Sequence, residues 1–158
     1  MDDRVFGAGG ILGNKFSPPP YRSGVDRITV DHLLTHTCGG WPNDADDPMF
    51  RNDLWSHGTL IERTIHDMPL GRPPGTGYAY SNFGYCVLGR VIEHLTGARY
   101  DSFVNQEVLR RCGISDMAIA GNTPGDRRPM EVRYYGQDFD RPYHPNVARM
   151  DANGGWIG

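Results

Sequence analysis

The residues best placed to do chemistry are Tyr80 and Asn82, in the stretch Pro74-Gly75-Thr76-Gly77-Tyr78-Ala79-Tyr80-Ser81-Asn82-Phe83-Gly84-Tyr85. A Pro-Gly turn delivers an aromatic segment to the start of a helix. A phenol and a carboxamide held on either side of Ser81 can both be presented to a cleft. The phenol can move a proton, and the amide can donate and accept hydrogen bonds. Each residue also has a plainer use. Tyrosine in an aromatic run serves packing, and asparagine or Ser81 at a helix start serves as a cap.

Other reactive groupings are weaker. His32 and His36 lie four apart, as two metal ligands on one helical face would. Zinc hydrolases of that design place a glutamate beside the first histidine, where this chain has Leu33; hydrogen bonds to nearby backbone are the better use of both rings. Asp44, Asp46 and Asp47 alternate as calcium ligands can, but no glycine or bidentate glutamate follows at loop spacing, so the expectation is a solvated loop. Gly7-Ala8-Gly9-Gly10 lacks both the dinucleotide pattern and a preceding strand, and is expected to be a plain loop. No cofactor is expected. Cys38, Cys86 and Cys112 are an odd number without metal-type spacing and are expected to be free thiols.

The positioning elements are mostly helical. Thr29 is placed to cap a short helix through Val30, Leu33 and Leu34, with Gly39-Gly40 as its stop. Trp41, Phe50 and Trp55 are expected to tuck the long loop 41–58 onto the body. A second helix is expected from Thr59 to Asp67, with Leu60, Ile61 and Ile65 inward and Pro69 ending it. The strongest pattern comes next: Tyr85, Leu88, Val91, Ile92 and Leu95 recur at helical spacing before Gly97. A further helix, Asp101 to Arg111, should bury Phe103, Val104, Val108 and Leu109 and pack on its predecessor across a short link. Glu131-Val132-Arg133-Tyr134-Tyr135 is the best strand candidate. The expected fold class is therefore mainly α with loops and little strand: a single partial domain over 1–158, with a loop-rich entry at 1–27, a helical core at 28–120 and a loop-rich tail at 121–158. The final Trp156-Ile157-Gly158 reads as a cut end.

Bulk properties exclude several function classes. A net charge of −3 over 158 residues, with a pI near 6.0, gives no electrostatic footprint for nucleic acid or an anionic membrane. There is no run of 18 apolar residues, so no membrane span is expected. Met1-Asp2-Asp3-Arg4 lacks the basic start and apolar stretch of a signal peptide.

Three segments, in order, resemble one family. "ITVDHLLTHTCGG" is similar to the "LLTHTSGG" signature of serine hydrolases of the β-lactamase and penicillin-binding-protein superfamily, with Cys38 in place of serine. "PGTGYAYSNFGYCVLGRVIEHLTG" resembles its Tyr-x-Asn motif and flanking helix, of the class C-like type. "EVLRRCGISDM" resembles the segment after it. The resemblance implies an α/β part joined to a mostly helical domain, with catalysis between them. It also implies acyl transfer from an ester, β-lactam or D-amino-acid peptide to a serine. By carry-over Tyr80 would be the acid/base partner of that serine, and Asn82 would hold the substrate amide or the catalytic lysine. Complete relatives are often exported.

The chain departs from the family in two places. Lys15 is the only lysine, and Leu12, not serine, stands three residues before it. No Lys-Thr-Gly occurs, and His57-Gly58-Thr59 lies upstream, in what reads as a loop. The expectation is the central portion of a larger hydrolase, inactive alone, able to self-associate or to pair with an α/β portion. The rival expectation is a non-catalytic remnant of the family acting as a binding or assembly module.

Overall fold

A computed structural model describes residues 1–135 and 146–158. Its architecture is mostly helix and loop: α1 (Val30–Leu34), α2 (His57–Asp67), α3 (Asn82–Thr96) and α4 (Tyr100–Val104), with a two-stranded antiparallel ribbon of β1 (Ala118–Ile119) and β2 (Trp156–Ile157).

The central helix α3 is shaped by both of its ends. Ser81, not Asn82, supplies the N-cap: its Oγ accepts from Gly84 N at 3.0 Å. At the other end Gly97 adopts φ 69°, and its N–H reaches the Glu93 carbonyl. Phe83, Cys86, Val87, Leu88 and Val91 are buried against Leu33 of α1 and Leu60, Ile61 and Ile65 of α2. Leu95 continues the apolar spacing but is 67% exposed, because the last turn reaches past the body and walls an open groove. The entry segment also enters the core. Val5 N bonds Ile28 O at 2.9 Å, and Val5, Phe6 and Leu12 are buried.

Thr29 caps α1 as expected and forms a reciprocal box with His32, whose Nδ1 accepts from Thr29 N at 3.2 Å. The helix ends before Gly39-Gly40: His36 takes φ 57° and turns the chain there. Gly39 does other work. At φ 92° it lies so close to the 72–73 backbone that an added Cβ would sit 2.2 Å from Arg72 O. Gly39→Ala is therefore expected to cost about 3 kcal/mol, from overlap with immovable backbone plus left-handed strain. Urea unfolding checks this; a loss under about 0.5 kcal/mol would mean the 72–75 loop yields freely.

Several expectations need correction. His57-Gly58-Thr59 is the first turn of α2, not loop, because Ser56 Oγ caps it by accepting from Thr59 N. Past α4 the chain passes into a π turn (Asn105–Leu109) and a 3-10 turn (Arg110–Cys112) rather than one regular helix. The widened turn changes the direction in which its side chains point, so Leu109 is buried while Val108 stands 47% exposed. Residues 131–135 form no ladder among the described residues; the strand pairing goes instead to Ala118↔Ile157 and Ile119↔Trp156. Trp41 is buried, with an edge contact to Phe83 at 5.0 Å, and Trp55 is half-buried, but Phe50 is exposed. Asp47 does not belong to a solvated loop: it is 2% exposed. All three cysteines are free.

Candidate active site

The aromatic segment 78–80 runs beside the end of α1 and then enters α3. Tyr80 O accepts from Asn43 N at 2.8 Å, and Ala79 N donates to His36 O at 2.8 Å. Ser81 N donates to the Nδ1 of His36 at 3.1 Å. The two histidines of the sequence pair thus each accept from a backbone N–H, His32 from Thr29 and His36 from Ser81. Among the described residues no cluster of three or more His, Cys, Asp or Glu side chains could hold a metal ion.

Rings gather at this point. Tyr80 lies 4.4 Å from His36 between ring centres, Tyr85 stacks on the same imidazole at 5.0 Å, and Tyr78 meets it edge-on at 5.8 Å. Tyr85 is in turn held by donating from its hydroxyl to Leu34 O at 3.2 Å. Together His36, Tyr80, Tyr85 and Tyr100 face residues 151–154 and Trp156 across a cavity of about 370 Å³. Tyr80 is 44% exposed, so its phenol is on an open wall and not in the core. Burial lowers the pKa of His36, which keeps its imidazole neutral and its Nδ1 free to accept.

Asn82 is oriented differently. Its Nδ2 donates to Asp47 Oδ2 at 2.8 Å, and the other Asp47 oxygen accepts from Met49 N at 2.9 Å. Since a carboxylate only accepts, this contact decides which end of the amide faces Asp47 and leaves the Asn82 carbonyl oxygen turned away from it. Burial pushes the Asp47 carboxyl up from the ordinary aspartate range, and the bonds from Asn82 and Met49 work against that. Of the two residues singled out from the sequence, Tyr80 lines the cavity, while the amide of Asn82 is engaged with Asp47.

The wall opposite Tyr80 is pinned to α3 by charge. Arg90, 5% exposed, donates to Asp151 Oδ2 at 2.5 Å and pairs with Glu93 at 3.0 Å. His57 Nε2 lies 3.3 Å from the other Asp151 oxygen. Trp156 reaches the same turn by donating from Nε1 to Asp151 O at 2.5 Å. Tyr85, Tyr100, Asp151 and Trp156 were not singled out from the sequence as site residues. Nothing in their local spacing connects them, since they come together only through the packing of α3, α4 and the 146–158 segment.

The family model described as Beta-lactamase matches residues 1–158, and the chain belongs to that family. It is 31% identical over 121 residues to a putative D-alanyl-D-alanine carboxypeptidase of Escherichia coli K12, covering 72% of this chain and 26% of that protein. A penicillin-binding protein of Bacillus subtilis is 30% identical over 152 residues, covering 83% of this chain and 30% of that protein. The chain thus spans between a quarter and a third of these relatives' length. A β-lactamase/D-alanine carboxypeptidase of Yersinia pestis shares the fold, with a TM-score of 0.60 at 18% identity over 90% of this chain and 40% of that one. Hydrolase, β-lactamase-related and penicillin-binding-protein-like are therefore accurate descriptions of its kin.

Proposed function

We propose that this chain is the helical portion of a β-lactamase-like serine hydrolase, a single partial domain in which Tyr80 and Asn82 serve acyl transfer. In this reading Tyr80 takes the proton of an attacking serine hydroxyl and returns it to the leaving group. Asn82, aimed by Asp47, offers its side-chain oxygen to a substrate amide or a catalytic ammonium. The observation that carries the reading is the exposed Tyr80 phenol at the rim of the 370 Å³ cavity, on the motif segment that leads into α3. Substrates of the completed site would be small esters, β-lactams or D-amino-acid peptides.

This sequence holds no Ser-x-x-Lys and no Lys-Thr-Gly. Proton transfer without a positioned nucleophile supplies only part of the barrier reduction, so the chain alone is expected to be inactive. A chromogenic β-lactam and a p-nitrophenyl ester should both be hydrolysed at the background rate, with Tyr80→Phe indistinguishable from the parent. Robust turnover that disappears in Tyr80→Phe would overturn the expectation of inactivity. Covalent labelling by a penicillin probe, located by mass spectrometry, would expose any nucleophile used instead.

A second reading, a non-catalytic binding or assembly module, draws on one observation. Ile11, Val30, Leu34, Val91, Ile92 and Leu95 help wall an apolar groove of about 540 Å³ that adjoins the Tyr80 cavity through Tyr85 and Tyr100. An α/β portion or a second copy would bury this face. Reconstitution of turnover by adding a Ser-x-x-Lys-bearing portion would favour the hydrolase reading over the module.

A further inference from the structure

We propose that His36 is a positioning residue that sets the pose of the Tyr80 phenol, by clamping the backbone on both sides of it and covering its ring. The proposal deepens the hydrolase reading and rests on it for its catalytic meaning. Its test reads geometry, so a failed clamp and a failed hydrolase assignment give different results.

Two contacts bracket Tyr80. The His36 carbonyl accepts from the N–H of residue 79 at 2.8 Å, and the His36 ring accepts from the N–H of residue 81 at 3.1 Å. One side chain and its own backbone therefore grip both neighbours of the phenol, while Asn43 N holds the Tyr80 carbonyl between them at 2.8 Å. Reaching this position requires His36 to sit at φ 57°, which costs a non-glycine residue free energy and persists only where the surroundings demand it. Tyr85 stacks on the imidazole at 5.0 Å, and Tyr80 lies 4.4 Å from it, so the ring is packed against two aromatic side chains. A residue used only to end α1 would need neither the ring acceptor nor this aromatic support.

Since Nδ1 accepts, the neutral imidazole carries its proton on Nε2. Protonating Nδ1 would set two N–H donors against each other and release Ser81. The groups facing His36 are Tyr78 and Tyr80 from the loop and Tyr85 from α3, with Tyr100 also lining the cavity and Asp151 on its opposite wall. The Asp151 carboxylate is engaged by Arg90 and His57, so no free negative charge on that wall draws a proton onto His36. Burial disfavours the imidazolium in the same direction. His36 thus binds protons more weakly folded than unfolded, so the clamp is intact above about pH 6.5 and is lost as pH falls through the lower folded value.

The test tracks the Ser81 amide and the Tyr80 ring by NMR from pH 8 to pH 5, in the parent and in two variants. In the parent both signals should move together, with a midpoint below about 6.5. His36→Asn keeps an acceptor near the Nδ1 position and tolerates the left-handed conformation. It should hold the Ser81 amide and abolish the pH response. His36→Phe keeps a ring but no acceptor, and should speed Ser81 amide exchange about fivefold to tenfold, the equivalent of one hydrogen bond. A Ser81 or Tyr80 response that persists unchanged in His36→Asn, or parent-like Ser81 exchange in His36→Phe, overturns the clamp. Should His36→Phe not fold, the comparison of the parent with His36→Asn still decides.

Discussion

Arg149→Met should destabilise the protein by about 4 kcal/mol, a large share of what holds a domain of this size together. Arg149 is 2% exposed, and its guanidinium lies in a basket of backbone carbonyls. Nη1 donates to Asn52 O at 2.8 Å and Trp55 O at 3.2 Å; Nη2 donates to Arg51 O at 3.0 Å and Met49 O at 3.1 Å. Asp53 supplies a counter-charge at 3.8 Å. Methionine fills most of the volume but donates nothing, so the carbonyls of Met49, Arg51 and Trp55 lose this donor at once, each worth about 1–3 kcal/mol when buried and unsatisfied, while Asn52 O keeps the N–H of Trp55 at 3.1 Å. Partial entry of water keeps the total below the sum. Arg149→Lys should recover less than half, because an ammonium cannot reproduce a planar fork that serves four acceptors. Urea unfolding at pH 7 measures both. A loss under about 1 kcal/mol for Arg149→Met would show that loop 49–55 holds its shape without the guanidinium. The contact also matters for the site, since it anchors the segment that carries Asp151 and Trp156 to the body.

Arg90→Leu should cost about 3–5 kcal/mol at pH 7, because it leaves the buried Asp151 carboxylate without its main partner. Burial is the largest influence on Asp151 and works to raise its pKa, yet the contacts from His57 and Arg90 prevail and hold the carboxyl below its ordinary value. A carboxyl depressed in this way stabilises the fold above about pH 3.9, and that contribution disappears as pH falls through the folded value. Removing Arg90 removes much of what depresses it. The parent should therefore keep this contribution from pH 7 down to about 4 and lose it only as pH falls below about 3.9, whereas Arg90→Leu should lose less or gain on acidification, since protonation relieves its unpaired charge. Adding Asp151→Leu to Arg90→Leu should restore part of the loss, a coupling of at least about 1 kcal/mol. Additive losses would mean the pair contributes little as a pair. Near-UV circular dichroism of Trp156 in the same samples would report whether the wall facing Tyr80 loosens with the ion pair.

Local physics made much of this protein legible from its residues alone. The 3.6-residue spacing from Tyr85 to Val91, the cap before it and Gly97 after it specify α3, because each feature satisfies backbone groups or buries a stripe without help from distant chain. The same holds for Thr29 at the start of α1 and for Leu60, Ile61 and Ile65 on α2. Tyr80 and Asn82 stood out because a motif keeps reactive side chains at fixed local spacing, and three such segments in order resembled the family to which the chain belongs.

The tertiary structure decided what depends on partners far along the chain. Asp47 reads as one more acid in a polar loop until folding places it, buried, against Asn82, 35 residues away. Arg149 reads as a surface cation in a loop-rich tail until its guanidinium meets carbonyls nearly 100 residues earlier. Trp156–Ile157 pairs with Ala118–Ile119, whereas residues 131–135, with better strand composition, form no ladder among the described residues, since a ladder needs a neighbour as well as a propensity. His36 ends its helix early because its ring and carbonyl are committed to residues 79–81. Sequence spacing specifies which residues can share a helix face. Which buried charge meets which acceptor is settled only when the whole chain has packed.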